Sequence, residues 1–281
     1  MTGPLPAPTM LPGTGSLPIL LSVPHSGTDY PDWLLRAARR GKGSLEHLED
    51  PLVDRLIWRA LARGCGAVIA RAPRAAVDCN RSLQEIDPAM AGGVPGSDPG
   101  PRARGGLGIV PTRTPRDGDL WRSKLGPRDM ERRIEGGWRP YHLALRDRLQ
   151  QLQRRHGEVL LLDCHSMPSR GPRQPQIIVG DRYGRSATAW LSELVRRTVE
   201  REGFTVAFND PYAGGWIVES LGDPPAGVHA IQLEVDRSLY LDGSCRKSGP
   251  GFDGVARLLE TLVVTVGDAL AARQELPAAA E

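Results

Sequence analysis

The stretch Val159-Leu160-Leu161-Leu162-Asp163-Cys164-His165-Ser166 decides the fold class of this chain. Its first four residues are uniformly apolar, a pattern typical of a short strand buried on both faces of a sheet. Polar residues follow directly, so we predict that the strand ends at Leu162 and that His165 lies just beyond its carboxyl end. Open α/β sheets bind their ligands outside the carboxyl ends of their strands.

Similar apolar runs on either side of this stretch predict further strands, with amphipathic segments between them. The strands are expected over Leu17–Val23, Ala67–Ala70, Gln176–Val179, Thr205–Phe208 and His229–Val235. The helices are expected over Asp50–Arg63, from Pro127 to Gly157 with a loosening at Gly136-Gly137, over Ser186–Glu202 and over Phe252–Arg273. Strands that alternate with helices predict an α/β sheet covered on both faces.

The 281 residues are expected to form one main domain. We assign it to residues 17–273, between a flexible N-terminal segment, 1–16, and a flexible tail, 274–281. Within the domain, residues 82–119 are dense in Gly, Pro and Asp and lack periodicity, which predicts an irregular insertion of the kind that forms lids or binding loops.

The composition excludes several classes of protein. No apolar run reaches the roughly 18 residues of a membrane-spanning helix. The net charge of +3 comes with only three lysines among 36 basic residues and 5% aromatic residues, which disfavours nucleic-acid binding. The four cysteines are widely spaced and form no C-x-x-C pair, and the N-terminus lacks the features of a signal peptide, so we expect reduced thiols and a cytoplasmic location.

Two histidines occupy equivalent places in this predicted sheet. His25 follows the first strand as His165 follows the central one, so both could face one crevice and bind a metal ion. Asp29, Glu49 and Asp50 are the carboxylates that could complete such a site. The alternative is that each histidine only caps its strand through a hydrogen bond to the backbone.

Further polar residues could act on or bind a substrate. Glu234 lies among apolar neighbours, where it is either a general base or the buried partner of an arginine. Arg81, beside Asn80, could hold a substrate carboxylate with two parallel hydrogen bonds, or could be an ordinary surface arginine. Cys164 is next to His165, but neighbours in a strand point to opposite faces, which argues against a Cys–His nucleophile.

Seven motifs in order connect these residues. They are Val23–Gly27, Leu48–Asp50 with Val53-Asp54, Asp78–Arg81, Trp138–His142, Leu162–Ser166, Asn209–Gly215 and Gly227–Glu234. The series resembles the N-formylglutamate amidohydrolase family, which is related to the zinc carboxypeptidases and to the aspartoacylase/succinylglutamate desuccinylase group. The resemblance extends from about Leu17 to about Asp268.

The resemblance implies a three-layer α/β/α sandwich with a mixed, mostly parallel sheet of the zinc-peptidase kind. It implies one catalytic Zn²⁺ held by His25, His165 and a carboxylate. The related peptidases place that carboxylate three residues after the first histidine, where this chain has Thr28, so Asp50 is preferred and Glu49 comes second.

The resemblance also implies the reaction. Glu234 would act as the general base, and Asn80 and Arg81 would hold the substrate, in the hydrolysis of N-formyl-L-glutamate or a related small N-acyl amino acid. No nucleic acid or membrane partner is implied, and the oligomeric state is left open.

Trp216 and Glu219 depart from the family pattern, in which a histidine or tyrosine follows the Gly-Gly turn and a basic or polar residue comes later. The acidic Glu219 would repel a dicarboxylate if it faced the pocket. A metallopeptidase or deacylase for larger N-acyl or peptide substrates, with residues 82–119 as a lid, is therefore the alternative. A binding protein that has lost its chemistry is a third hypothesis.

Overall fold

The computed structural model describes residues 3–91 and 98–275. Within them the strands are β1 (Thr9–Leu11), β2 (Ile19–Val23), β3 (Gly66–Ile69), β4 (Arg113–Thr114), β5 (Gly118–Asp119), β6 (Val159–Met167), β7 (Ile177–Gly180), β8 (Val206–Phe208) and β9 (Val228–Asp236). Residues 276–281 of the predicted tail lie outside the described residues.

The α-helices of the described residues are α1 (Asp32–Ala37), α2 (Lys42–Glu46), α3 (Val53–Leu56), α4 (Trp58–Ala62), α5 (Pro88–Ala91), α6 (Gly100–Arg104), α7 (Pro127–Arg133), α8 (Arg139–His156), α9 (Ala189–Arg201), α10 (Trp216–Leu221) and α11 (Phe252–Glu275). A π-helical turn, Ile134–Trp138, joins α7 to α8, and 3₁₀ turns occupy Pro224–Ala226 and Arg237–Leu239. None of these helices combines the length and apolarity that crossing a membrane requires.

The chain separates into two compact units. Unit 1 comprises Met1–Thr9, Pro24–Glu49 and Ile69–Ala144, and unit 2 comprises Met10–Val23, Asp50–Val68 and Leu145–Glu281. Unit 1 is built largely of short helices and loops, and it holds the two-stranded β4-β5 sheet of the predicted insertion.

Unit 2 is built on a seven-stranded sheet in the order β1-β3-β2-β6-β9-β7-β8, of which only the end residues Thr9 and Ile69 fall in unit 1. β2, β6 and β9 run parallel, whereas β7 is antiparallel to β9 and parallel to β8. The α/β class with a mixed, mostly parallel sheet is confirmed. β1 comes from the N-terminal segment that we expected to be flexible.

β6 is longer than the sequence predicts. It continues to Met167, and all nine of its residues are buried. His165 therefore lies within the strand, whereas we had expected it to lie beyond the end of the strand. The strand continues because the polar side chains of Asp163 and His165 satisfy each other by a hydrogen bond, so their burial does not leave unpaired polar groups.

The helix expected over Asp50–Arg63 forms as two short helices, α3 and α4. Leu52 has a left-handed backbone, with φ at 61°, and so cannot belong to a regular helix. α3 and α4 pack against α11, which also contacts α9. Asp50 lies in an irregular segment just before α3.

Candidate functional site

His165 and Glu234 lie side by side on neighbouring parallel strands of unit 2. They are direct register partners in the pairing of β6 with β9. Partners at the same register point to the same face of a sheet, and both side chains are buried. One face of the sheet, close to the carboxyl ends of these strands, therefore carries an imidazole next to a carboxylate.

Both ring nitrogens of His165 donate hydrogen bonds to carboxylates. Its Nε2 donates to Asp163 Oδ2 over 2.8 Å, and its Nδ1 donates to Asp50 Oδ2 over 3.1 Å. Burial alone would lower the pKa of His165, but Asp163, Asp50 and Glu234 outweigh it and hold the pKa well above its ordinary value. Asp163 is itself fixed by Ser22, whose hydroxyl donates to Oδ1 over 2.7 Å.

The second carboxylate oxygen of Asp50, Oδ1, also accepts a hydrogen bond. Arg237 Nη2 donates to Asp50 Oδ1 over 3.0 Å, and Arg237 Nε donates to the Ser166 hydroxyl over 3.1 Å. The Asp50 carboxylate therefore has one oxygen on a guanidinium and the other directed at His165.

The pair of His165 and Asp50 fits a divalent metal ion. Two ligands at about 2.1 Å from a tetrahedral zinc ion stand roughly 3.4 Å apart, close to the 3.1 Å between Nδ1 and Oδ2. The proton between them is the one that metal binding displaces, because a ligating imidazole must be neutral. Asp163 would remain on Nε2 as the outer carboxylate that metal-binding histidines ordinarily have.

In unit 1, His25 is held in the same manner. Its Nε2 donates to Asp78 Oδ1 over 2.7 Å, and both side chains are buried. Arg74 Nε donates to Asp78 Oδ2 over 2.9 Å. Burial alone would raise the pKa of Asp78, but Arg74, His25 and Arg81 outweigh it and hold the pKa well below its usual value. Asp78 is therefore an ionised acceptor for the His25 ring.

Asn80 and Arg81 follow Asp78 in a buried loop of the same unit. The Asn80 backbone N–H donates to Asp78 Oδ1 over 2.8 Å. Arg81 Nε donates to the Leu107 carbonyl over 3.0 Å, and Nη1 donates to the Asn80 carbonyl over 2.9 Å. Burial lowers the pKa of Arg81 despite the neighbouring Asp78. Arg81 is thus a buried, main-chain-anchored cation and not an ordinary surface arginine.

The other carboxylates considered as ligands have partners of their own. Glu49 Oε1 accepts from the Tyr30 hydroxyl over 2.5 Å. Asp29 is exposed on the surface of unit 1, where it pairs with Arg71 over 3.3 Å. Asp50 accepts a hydrogen bond from His165 within unit 2.

The environments of Cys164 and Glu219 bear on two further hypotheses drawn from the sequence. Cys164 is buried, and burial raises the pKa of its thiol, which makes it a poor nucleophile. Glu219 is half-exposed and forms an ion pair with Arg182 over 2.8 Å. The charge of Glu219 is therefore balanced by a neighbour on the same unit.

Sequence analysis missed three residues of this site. Asp163 stands two residues before His165, and Gln232, whose amide donates to Glu234 Oε1 over 2.8 Å, stands two residues before Glu234. That spacing on a strand places side chains on one face, so both could have been found. Arg237 had no such signal, because its partner Asp50 is remote in sequence.

Comparison with known proteins identifies the family. The sequence model of the N-formylglutamate amidohydrolase family matches residues 17–241. N-formylglutamate deformylases are 30% identical over 81% of this chain and 83% of the protein from Pseudomonas putida, and 28% identical over 81% and 84% in Pseudomonas aeruginosa. The crystal structure of N-formylglutamate amidohydrolase from Ralstonia eutropha JMP134 superposes with a TM-score of 0.87 at 32% identity, covering 95% of this chain and 99% of that one.

The match covers the strands that carry His165 and Glu234 and the loops that carry His25, Asp50 and Arg81. The extent of both the sequence match and the superposition leaves no large part of the fold unaccounted for. This chain belongs to the N-formylglutamate amidohydrolase family and is a hydrolase of carbon–nitrogen amide bonds.

Proposed function

We propose that this chain is a zinc-dependent amidohydrolase that converts N-formyl-L-glutamate to formate and L-glutamate. The observation that carries the proposal is the pair of His165 and Asp50, with Glu234 in direct register beside it. The family relationship supports the substrate, since the relatives at 28–30% identity are N-formylglutamate deformylases.

For the metal, we propose that His25, Asp50 and His165 are the three ligands. His25 follows β2 by two residues, and β2 is the parallel neighbour of β6, which carries His165. Asp78 and Asp163 each accept from Nε2 of one imidazole, which supports Nδ1 of both rings as the ligand atoms. When bound, zinc would polarise the amide carbonyl and acidify a water molecule.

Glu234 moves the proton. Its carboxylate takes a proton from the attacking water and returns it to the amine nitrogen as the carbon–nitrogen bond breaks. The Gln232 amide donates to Oε1 over 2.8 Å, which fixes the orientation of the carboxylate. Burial of Glu234 keeps the transfer away from bulk water.

Arg81 and Asn80 hold a carboxylate of the substrate. Arg81 uses Nε and Nη1 on the carbonyls of Leu107 and Asn80, and its Nη2 has no hydrogen bond to the described residues. A guanidinium already fixed on two sides loses little freedom when it binds a carboxylate.

We place this activity in the cytoplasm. All four cysteines are free, and three of them, Cys65, Cys79 and Cys164, are buried. Free thiols are typical of proteins from reducing compartments.

Metal analysis combined with a substrate panel tests the proposal. We expect one equivalent of zinc per chain, and reversible loss of activity on chelation. The panel compares N-formyl-L-glutamate with N-formyl-L-glutamine, an isostere whose side chain is uncharged, with N-acetyl-L-glutamate and with short peptides. We expect the highest kcat/KM for N-formyl-L-glutamate; activity confined to the longer compounds would overturn the substrate, and absence of stoichiometric zinc would overturn the mechanism.

A further inference from the structure

We propose that Arg237 is a positioning residue that holds Asp50 as a one-oxygen metal ligand. The proposal rests on the metal site of the proposed function, and the contacts of Arg237 from which it is argued lie within unit 2. Arg237 was not among the residues predicted from the sequence.

The contacts of Arg237 join the two ligands of unit 2. Nη2 donates to Asp50 Oδ1 over 3.0 Å, and the same guanidinium donates through Nε to the Ser166 hydroxyl over 3.1 Å. Ser166 is the residue directly after His165 on β6. One rigid, planar group therefore fixes the distance between the Asp50 carboxylate and the strand that carries His165.

The turn that presents Arg237 is itself fixed. Asp236, the last residue of β9, accepts from the Ser238 backbone N–H over 2.8 Å and from its hydroxyl over 2.7 Å. Tyr240, at the end of this 3₁₀ turn, donates its hydroxyl to the Pro51 carbonyl over 2.8 Å. Arg237 thus holds the side chain of Asp50, and Tyr240 holds the backbone of the next residue, Pro51.

Occupation of Oδ1 determines how Asp50 can bind a metal ion. A carboxylate with no second partner can rotate and coordinate with both oxygens, which fills a position that a catalytic zinc needs for water or substrate. With Oδ1 on Arg237, Oδ2 alone faces Nδ1 of His165. The Arg237 guanidinium has two opposing effects on metal binding. It fixes the Asp50 carboxylate, and its positive charge repels a divalent cation. We infer that positioning outweighs repulsion, since outer partners of metal ligands usually strengthen binding.

Replacement of Arg237 by Met and by Lys tests this proposal. Arg237→Met removes both the charge and the planar fork, whereas Arg237→Lys keeps the charge and loses the fork. Arg59→Met is the matched control, because Arg59 forms a comparable ion pair with Asp253 over 2.8 Å on the surface of the same unit. The zinc Kd of each protein is measured by competition with a chromophoric chelator, and the visible spectrum is recorded after substitution with Co²⁺.

We expect the zinc Kd to rise by about 10- to 100-fold in Arg237→Met and by less in Arg237→Lys, with Arg59→Met unchanged. The cobalt absorption bands of Arg237→Met should lose intensity, because a two-oxygen carboxylate raises the coordination number above four. If Arg237→Met does not fold, the same measurements on Arg237→Lys decide.

An unchanged Kd and spectrum would overturn the positioning role while leaving the proposed function intact. Tighter zinc binding in Arg237→Met would overturn it too, since repulsion would then be the larger effect. A wild-type protein that takes up no zinc would instead overturn the proposed function, and this proposal with it.

Discussion

Asp163 and Asp78 perform the same task on two different imidazoles. Each accepts a hydrogen bond from Nε2, at 2.8 Å from His165 and at 2.7 Å from His25. Each is in turn supported by a second donor, Ser22 for Asp163 and Arg74 for Asp78. Fixing one nitrogen of an imidazole determines which nitrogen remains for a metal ion, so in the proposed metal site these two carboxylates would leave Nδ1 of each ring as the ligand atom.

At the scale of single residues, Glu234→Gln is expected to lower kcat by at least about 100-fold, since the amide cannot take a proton from water. Zinc stoichiometry should stay at the wild-type level, because Glu234 is not one of the proposed ligands. Glu200→Gln, on the exposed face of α9, is the control and should behave as wild type. Near-wild-type turnover in Glu234→Gln would refute the assigned role.

Arg81→Ala is expected to raise KM for N-formyl-L-glutamate by roughly 10- to 100-fold, which corresponds to loss of a hydrogen bond between charged groups. The effect on kcat should be smaller, and Arg81→Lys should lie between Ala and wild type because it keeps the charge without the fork. Steady-state kinetics on both variants, with thermal unfolding to confirm folding, provides the measurement. An unchanged KM would exclude Arg81 from substrate binding.

At the scale of elements, the π-helical turn between α7 and α8 depends on a glycine. A Cβ atom on Gly137 would meet Val77 Cγ1 at 2.6 Å, whereas on Gly136 the nearest atom would be Leu5 Cβ at 3.5 Å. The two adjacent glycines are therefore unequal, although the sequence presents them as a pair.

We expect Gly137→Ala to lower the free energy of unfolding by about 1–3 kcal/mol through overpacking. Gly136→Ala is the matched control, and it should be neutral or stabilising by up to about 1 kcal/mol, since Ala favours helical backbone. Denaturant unfolding of both variants measures the difference. Equal stabilities would contradict the packing explanation.

The predicted insertion is an ordered element where the structure describes it. Asp87 is buried and accepts from the Ala89 backbone N–H over 2.9 Å, from the Thr112 hydroxyl over 2.5 Å and from Arg113 Nη1 over 2.7 Å. The Asp87 carboxylate thus connects α5 to the β4-β5 hairpin, within a segment that the sequence predicts only to be irregular.

At the scale of the whole molecule, His229 is expected to make stability depend on pH. It is buried on β9, neither of its ring nitrogens has a hydrogen-bond partner among the described residues, and burial lowers its pKa below the ordinary value for histidine, which is about 6.5. Below pH 6.5 the unfolded chain therefore binds more protons than the folded chain, and stability falls as the pH falls.

His229→Phe keeps an aromatic ring next to Trp190 and removes the group that titrates. The free energy of unfolding of the wild type relative to this variant should decrease between pH 7.5 and pH 5, by at most about 1.4 kcal/mol per pH unit. Unfolding curves at several pH values test this. A difference that stays constant with pH would show that His229 does not titrate in this range.

The sequence alone predicted most of the sheet. Apolar runs located β2, β3, β7, β8 and β9 to within a few residues and located the start of β6, and the Gly-Gly pair marked the break between α7 and α8. The family motifs pointed to the matched family and to the candidate site residues. These features depend on local patterns of side chains, which the sequence states directly.

What the sequence did not determine is how the polar groups satisfy one another. It did not predict that β6 continues through His165. Nor did it predict that Asp50 accepts a hydrogen bond from His165, or that Arg237 donates to the other carboxylate oxygen of Asp50. Composition and periodicity determined which segments are buried, because burial follows from local hydrophobicity. Only the tertiary structure decided that Asp50 is paired with both His165 and Arg237, because these partners come from distant parts of the chain and the energy of an unpaired buried charge appears only once the chain is folded.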